Sequence, residues 1–283
     1  MHKRSVLRSI AVFIRDIIWG AGTKHVWTYA AGTAFFFFLS FIPILIVIST
    51  ALPYLGLSEE ILAEAITMVT PDMADSFVLV MITEAYHTSS GVFPISILLL
   101  IWSAAKGMQA LINGFNEIYG VDEKRGWFGI RWKASIYTLA LAVLLIVMLV
   151  LMVGSEIIKG YARPYLPDSQ IIRIMLSNTR YLILIVIGFG LFTLAYAFVP
   201  GERQQIKKQL PGALFASVAW ALFTYFFSLF ISGMNSYTTY YGSLTALILL
   251  LIWLYWCEYI LLVGAYINVY LIERKKYIKS NKA

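Results

Sequence analysis

The sequence is poor in charged residues and in cysteine, and each scarcity excludes a class of protein. Charged residues make up 13% of the 283 residues and hydrophobic residues 60%, whereas a soluble globular domain carries about 25% charged residues. A water-soluble fold of this length could not bury so much apolar surface, which excludes a soluble enzyme and a disordered chain. The single cysteine, Cys257, cannot form an intramolecular disulfide, which excludes a disulfide-stabilised secreted domain. The composition therefore predicts a membrane protein.

Six stretches of about 20 mainly apolar residues are long enough to cross a bilayer as helices. They cover approximately residues 26–54, 92–113, 134–153, 181–199, 211–231 and 243–271. The sequence thus predicts an all-α, polytopic membrane protein in which residues 25–272 form one domain of six transmembrane helices.

The positively charged residues predict the orientation of this domain. With the N-terminus inside, 17 of the 22 Lys and Arg residues fall in inner segments and four in outer segments. The positive-inside rule therefore places both termini in the cytoplasm, the second as a basic tail over residues 273–283. The net charge of +7 is then explained by inner segments that face anionic lipid, and no nucleic-acid partner is expected.

Three segments outside the predicted spans are amphipathic. Residues 1–24 are expected to form a helix in the cytoplasmic headgroup layer, because apolar side chains share one face of residues 4–19. Arg4, Arg8 and Arg15 lie on the opposite face and are predicted to contact anionic lipid headgroups. Residues 58–87 and 168–178 are predicted to form short helices on the outer side, and packing as lids on the bundle is the simpler interpretation of all three segments.

Only Lys106 and Glu258 carry a charge well inside the predicted spans. A charge at this depth costs at least about 2.5–3.5 kcal/mol on insertion scales, so each should face a partner or a wet cavity. Their depths are compatible with an ion pair, although the sequence does not show that their helices touch.

Two polar stripes follow helical spacing and are candidates for a substrate or ion path. The first contains Trp102, Lys106, Gln109, Asn113, Asn116 and Glu117. The second contains Ser217, Thr224 and Ser228. Small and hydroxylated residues are favoured where membrane helices pack together, so ordinary packing is the leading interpretation of the second stripe. For the first stripe, a hydrophilic cavity and simple packing are both open.

Motifs that would carry catalysis or hold a cofactor are absent from the sequence. His2, His25 and His87 are the only histidines and lie far apart in the predicted topology, so no metal site is expected. Neither a Gly-rich phosphate loop nor a GxSxG motif occurs. The sequence therefore predicts neither an enzyme nor a bound cofactor.

Motifs in the last two predicted spans resemble those of a known family. In chain order these are Pro211-Gly212-Ala213-Leu214, Trp220, Asn235-Ser236-Tyr237, Tyr241-Gly242-Ser243-Leu244, Trp253-Leu254-Tyr255, Leu262-Val263-Gly264-Ala265 and Asn268. Trp102-Ser103, Ile118-Tyr119-Gly120 and Arg125 extend the likeness upstream. The ordered set resembles the YihY/BrkB family of bacterial inner-membrane proteins, also known by the old label "ribonuclease BN".

The resemblance implies a six-helix protein of the bacterial cytoplasmic membrane that is discussed as a possible transporter, without a settled substrate. The chain departs from the family at Tyr266, where the family's last span often has a glutamate. The carboxylate of this span is Glu258, eight residues earlier, and the role of the family's glutamate does not transfer to Tyr266.

The polar stripe, the buried charges and the amphipathic segments favour a transporter or flippase-like protein for a lipid, an amphiphile or an ion. The alternative is a non-transporting scaffold that organises envelope proteins or lipids, and ribonuclease activity is the weakest of the three interpretations. Membrane lipids are the expected partners. The sequence does not predict an oligomeric state.

Overall fold

The computed structural model describes residues 2–51, 93–123, 126, 128–139, 179–232 and 235–280, and all regular structure in them is helical. Six of the helices are α1 (His2–Thr23), α2 (Val26–Ala51), α3 (Phe93–Tyr119), α5 (Thr179–Phe198), α6 (Ile206–Ser232) and α7 (Asn235–Ser280). Residues 128–139 form a further helix, α4. The all-α prediction is confirmed for this part of the chain.

Three helices contain stretches that are long and apolar enough to cross a membrane. These are Ile97–Tyr119 in α3, Ile206–Ile231 in α6 and Leu247–Ser280 in α7, while Val26–Phe41 of α2 and Ile185–Phe198 of α5 are shorter apolar stretches. Most of the predicted third span, and the predicted outer helices at 58–87 and 168–178, lie outside the described residues.

Helix α7 is much longer than the span predicted within it. Its 46 residues extend over about 69 Å at 1.5 Å per residue, more than twice the ~30 Å hydrocarbon core of a bilayer. The residues that follow the predicted span continue the same helix up to Ser280.

Helices α2 and α3 pack closely because glycines on α3 leave room for aromatic side chains of α2. A Cβ at Gly107 would lie 2.6 Å from Cδ1 of Phe37, and one at Gly114 would lie 2.9 Å from Cβ of Tyr29. Without a hydrophobic force between helices in lipid, such close approach is what stabilises their association.

A close helix crossing joins α6 and α7. A Cβ at Gly264 would lie 2.8 Å from the carbonyl oxygen of Gly212, and a Cβ at Gly212 would overlap Gly264 and Asn268. Pro211 precedes Gly212 within α6 and has no N–H to donate. The next amide, that of Gly212, donates a hydrogen bond of 2.7 Å to Oδ1 of Asn268. We call these three residues, Gly212, Gly264 and Asn268, the α6–α7 junction.

Helix α5 joins this junction through Tyr196, which is fully buried. Its hydroxyl donates a 2.7 Å hydrogen bond to the carbonyl oxygen of Leu261 in α7. A Cβ on Gly264 would overlap the same hydroxyl, so the glycine is also what allows this hydrogen bond to form.

Helix α1 packs on the C-terminal half of α7 with part of its apolar face. The rings of Phe13 and Tyr270 meet edge to face at 5.5 Å, and the Tyr270 hydroxyl donates to Oδ2 of Asp16 at 3.3 Å. Tyr266, the residue at the family's glutamate position, lies against Gly20, where any Cβ would overlap its phenol ring. Tyr266 thus contributes to docking α1.

The α6–α7 junction predicts that Gly264→Val destabilises the protein. The added side chain meets the Gly212 backbone, which cannot move away as a flexible side chain could, so we expect a loss of about 1–3 kcal/mol or more. Unfolding of the purified protein in detergent measures this loss. Gly190→Val in α5 is the matched control, because a Cβ there meets nothing within 4 Å; equal losses in the two variants would contradict the assignment.

Candidate polar site within the membrane helices

Lys106 does not extend away from its helix but lies beside Trp102, one turn earlier on α3. Its Nζ is 6.0 Å from the centroid of the indole ring, at the outer limit of a cation–π contact. Lys106 is half-buried and Trp102 is exposed over 48% of its surface. Trp102 is therefore the predicted site residue that the structure places directly at the lysine.

A second cation reaches the same tryptophan. Nη2 of Arg131, on α4, donates a 3.0 Å hydrogen bond to the backbone carbonyl of Trp102, while Nη1 is buried and has no hydrogen-bond partner among the described residues. Arg131 is not among the site residues that the sequence predicts. It was missed because the pattern of apolar residues does not show that α4 lies beside the middle of α3. We call Trp102, Lys106 and Arg131 the cationic cluster.

Glu258 is also left without a partner in the described part of the chain. Its Oε2 atom is buried and accepts no hydrogen bond there. One helical turn later on α7, Leu262 approaches Gly114 of α3 and Leu261 accepts the hydrogen bond from Tyr196 of α5. Glu258 therefore lies between the α3-facing and α5-facing sides of α7.

Lys106 and Glu258, both in the described part of the chain, form no ion pair. The two side chains lie at compatible depths in their helices, but this was not sufficient for an ion pair. The lysine is directed toward the Trp102 ring, and Glu258 lies between the sides of α7 that contact α3 and α5. Each of these two charges thus lacks a counter-charge within hydrogen-bond distance among the described residues.

The C-terminal end of the first polar stripe, on α3, is structural. Asn116 is buried; its Oδ1 accepts a 2.6 Å hydrogen bond from the amide of Gly201, and its Nδ2 donates to Oε2 of Glu123 at 3.0 Å. Glu117 lies 3.6 Å from Nζ of Lys24 in an ion pair. Asn116 and Glu117 therefore tie the end of α3 to neighbouring segments.

The middle of this stripe is more open. Gln109 is half-buried and Asn113 is exposed. Together with Lys106 they continue one face of α3 from Trp102 toward the end of the helix.

Residues of the second polar stripe face different neighbours. Ser217 is fully buried, donates to the carbonyl of Leu214 in its own helix at 3.1 Å, and has its Cβ 3.7 Å from the position of a Cβ on Gly188 of α5. Oγ1 of Thr224 accepts a 3.4 Å hydrogen bond from Trp253 of α7. Ser228 lies further along α6. These contacts are those of helix packing and do not bring Ser217 or Thr224 to Lys106.

The family motifs predicted from sequence converge in part. Pro211, Gly212, Gly264 and Asn268 meet at the α6–α7 junction. The Nδ2 of Asn268 is buried and donates no hydrogen bond to the described residues, although the Tyr119 hydroxyl lies near this side chain. That hydroxyl donates to Oε1 of the fully buried Gln209 at 2.7 Å.

The remaining motif residues are less informative. Asn235, Tyr241 and Gly242 lie in the first turns of α7, where the structure does not describe side chains. Arg125 lies outside the described residues.

Two residues that the sequence analysis did not single out cap the end of α5. Nζ of Lys133 donates to the carbonyls of Val199 at 3.0 Å and Pro200 at 2.9 Å, and the Tyr137 hydroxyl donates to the carbonyl of Phe198 at 2.6 Å. The last carbonyls of a helix have no partner within it, so these side chains satisfy them. Their spacing of four residues on one helix face is the only sequence signal for this role.

Helix α1 keeps part of its apolar face free. Ile17 is buried, whereas Ile14, Ile18 and Trp19 are exposed, Trp19 over 77% of its surface. Arg15 is exposed and pairs with Asp16 at 3.0 Å. Arg4 and Arg8 belong to the same helix, but their side chains lie outside the described part.

Among the described residues, no group of three or more His, Cys, Asp or Glu side chains is placed to hold a metal ion.

The contacts of Asn116 predict a selective effect of Asn116→Ala. The substitution leaves the Gly201 amide and the Glu123 carboxylate without this partner, which costs about 1–3 kcal/mol. Hydrogen exchange in residues 199–205 should therefore become faster. Asn113→Ala, an exposed asparagine on the same helix, is the control; faster exchange in both variants would show that the asparagine contacts are not responsible.

Comparison with known proteins identifies the family. Residues 17–283 match the family described as virulence factor BrkB. The chain is 29% identical over 248 residues to the putative ribonuclease-like protein YfkH of Bacillus subtilis, covering 87% of this chain and 90% of YfkH. It is 29% identical over 260 residues to a UPF0761 membrane protein of Photobacterium profundum, covering 88% and 78% of the two chains.

The UPF0761 membrane protein YihY of Salmonella typhimurium is 26% identical over 177 residues, with 62% of this chain and 58% of YihY covered. No solved structure matches the chain. The family match extends over nearly the whole sequence and agrees with the motifs of α3, α6 and α7, so the chain belongs to the BrkB family of membrane proteins.

Proposed function

We propose that the protein is a transporter or flippase-like protein that moves a lipid, an amphiphile or an ion through a polar cavity between its helices. The observation that carries this proposal is the presence of charges inside apolar helices without compensating partners among the described residues. Glu258 has a buried, unpartnered carboxylate oxygen, and Lys106 lies beside the Trp102 ring rather than beside a carboxylate.

Placing Lys106 and Glu258 inside apolar helices costs free energy. Each charge at this depth costs at least about 2.5–3.5 kcal/mol to insert, and a structural ion pair would offset part of that cost. The two residues form no such pair with each other. A helix bundle without a transport role would be more stable with apolar side chains in place of Lys106 and Glu258. A functional role therefore explains why the charges are present.

The proposal includes the topology. We propose six spans in the bacterial cytoplasmic membrane with both termini in the cytoplasm. The apolar stretches of α2, α3, α5, α6 and α7 support it, as does the concentration of Lys and Arg in the predicted inner segments.

A non-transporting scaffold is the second candidate, and helix α1 is the observation that favours it. One side of α1 is docked on α7 through Phe13 and Tyr270, while Ile18 and Trp19 are exposed. An exposed apolar strip beside basic residues suits binding to a lipid surface without any transport.

Single cysteines in a Cys257→Ser background test the topology. A cysteine at Glu64 or at Asn235 should react with an impermeant maleimide added outside intact cells. One at Gln205 or Ser280 should react only after the membrane is opened, because these positions are predicted to be cytoplasmic. The opposite labelling at either pair would overturn the six-span arrangement.

Proteoliposomes test transport. The wild-type protein should raise the dithionite-accessible fraction of a fluorescent lipid, or the flux of protons or sodium, above that of empty liposomes. Glu258→Gln should remove most of this activity because it removes the only charge on the middle of α7.

Glu273→Gln is the matched control, since Glu273 is an exposed glutamate on the C-terminal extension of the same helix. Its activity should equal that of the wild type. If the wild type itself behaves like empty liposomes across several lipid compositions, transport is excluded and the scaffold becomes the better account.

A further inference from the structure

We propose that the cationic cluster of Trp102, Lys106 and Arg131 binds the anionic headgroup of a membrane phospholipid. This inference rests on the proposed function and names its substrate class: the amphiphile is an anionic phospholipid, held with its headgroup at the depth of the middle of α3.

The charges of the cluster favour an anion as its ligand. Lys106 and Arg131 both lie at Trp102, and neither forms an ion pair with a described carboxylate. Two cations that contact the same residue repel each other, and a negative charge between them would lower that repulsion. The cluster therefore has the charge that a phosphodiester complements.

The donors of Arg131 are only partly used by the described residues. One N–H of Nη2 is occupied by the carbonyl of Trp102, which fixes the guanidinium against α3. Nη1 is buried and makes no hydrogen bond to them. A guanidinium is suited to phosphate because its planar donors match two oxygens at once. A phosphate oxygen that reaches Nη1 once the atoms covering it move aside would satisfy an otherwise costly buried donor.

The face of α3 around the cluster matches an amphiphile better than a free phosphate ion. Toward the N-terminal end from Trp102, this face carries the exposed apolar residues Ile95 and Leu98. Toward the C-terminal end it carries Lys106, Gln109 and Asn113. The acyl chains of a phospholipid would then contact the apolar part of this face, and its headgroup would contact the polar part.

Helix α4 adds apolar surface beside the cluster. Phe128 and Trp132, which flank Arg131 in sequence, are exposed over 82% and 72% of their surfaces, and Ile136 continues the row one turn later. Their spacing of four residues places them on one face of α4. The guanidinium is therefore presented next to surface that acyl chains can cover.

Native mass spectrometry of the full-length protein tests the proposal, with dioleoyl phosphatidylglycerol and dioleoyl phosphatidylcholine supplied in equal amounts as probes. The wild type should retain the anionic lipid in preference to the zwitterionic one. Arg131→Gln and Lys106→Met should each lower that preference about tenfold, because a charge-assisted hydrogen bond is worth at least that factor in a binding constant.

Arg274→Gln and Lys275→Met are matched controls, since both residues are exposed on the extension of α7. They should retain the anionic lipid as the wild type does. Equal preference in the cluster variants and the controls would overturn the proposal. Inorganic phosphate is added separately, and if it displaces the lipid at the same concentration the ligand is free phosphate and the lipid assignment is wrong.

A second measurement uses the wild-type protein, so it does not depend on whether the variants fold. Phosphatidylglycerol with a photoreactive group near its glycerol should cross-link to residues 95–109 of α3 or 128–136 of α4. Cross-links confined to α1 would overturn the proposal.

The experiments distinguish a failure of the headgroup site from a failure of the proposed transport function. If wild-type proteoliposomes transport lipid but retention does not depend on Arg131 or Lys106, the headgroup site is wrong and transport stands. If retention depends on both residues while no transport occurs, the headgroup site is supported and the transporter is not.

Discussion

The close crossing of α6 and α7 is the constraint on which the rest of the described structure depends. Lipid tails are as apolar as leucine, so helices in a bilayer associate through close packing and hydrogen bonds. Gly212 and Gly264 allow the backbones to touch, and Asn268 adds a hydrogen bond to an amide beside Pro211. Tyr196 then joins α5 to the same region of α7, which sets the rotation of α7 and thereby the direction of Glu258.

The polar groups of the described residues fall into two sets. Near the C-terminal ends of α3 and α5, the side chains of Asn116, Lys133 and Tyr137 form hydrogen bonds with neighbouring backbone or side-chain atoms. Nearer the middle of the helices, Glu258 and Arg131 each keep a buried atom without a partner there. An unmade hydrogen bond in a dry environment costs free energy. The first set therefore contributes to stability, and the proposed function rests on Glu258 and Arg131.

Arg131 and Glu258 suggest distinct roles within the proposed mechanism. Arg131, with Lys106, presents positive charge where α3 changes from an apolar to a polar face. Glu258 lies on α7, between the sides that meet α3 and α5. An anionic headgroup at the cationic cluster and a carboxylate on a separate helix would provide a binding site and a group able to exchange a proton or cation.

Much of the fold could be predicted from the sequence, because apolar length and the scarcity of charge directly reflect the bilayer. These features predicted the helices that became α2, α3, α5, α6 and α7, and the ordered motifs predicted the family. Lys106 and Glu258 were found for the same reason: a charge in an apolar run is conspicuous. Cys257, in contrast, accepts a hydrogen bond from Trp220, which no pattern in the sequence indicated.

The sequence by itself determined that the chain is a helical membrane protein of this family and which charges lie within its helices. Only the tertiary structure decided what those charges meet: Lys106 lies at Trp102 rather than at Glu258, and Arg131 reaches the same tryptophan from α4. It also decided that α1 docks on α7 through Phe13 while leaving Ile14 and Ile18 exposed. The physical reason is that hydropathy specifies that a helix enters the apolar phase but not its rotation, which is set by the fit between small residues and large side chains on neighbouring helices.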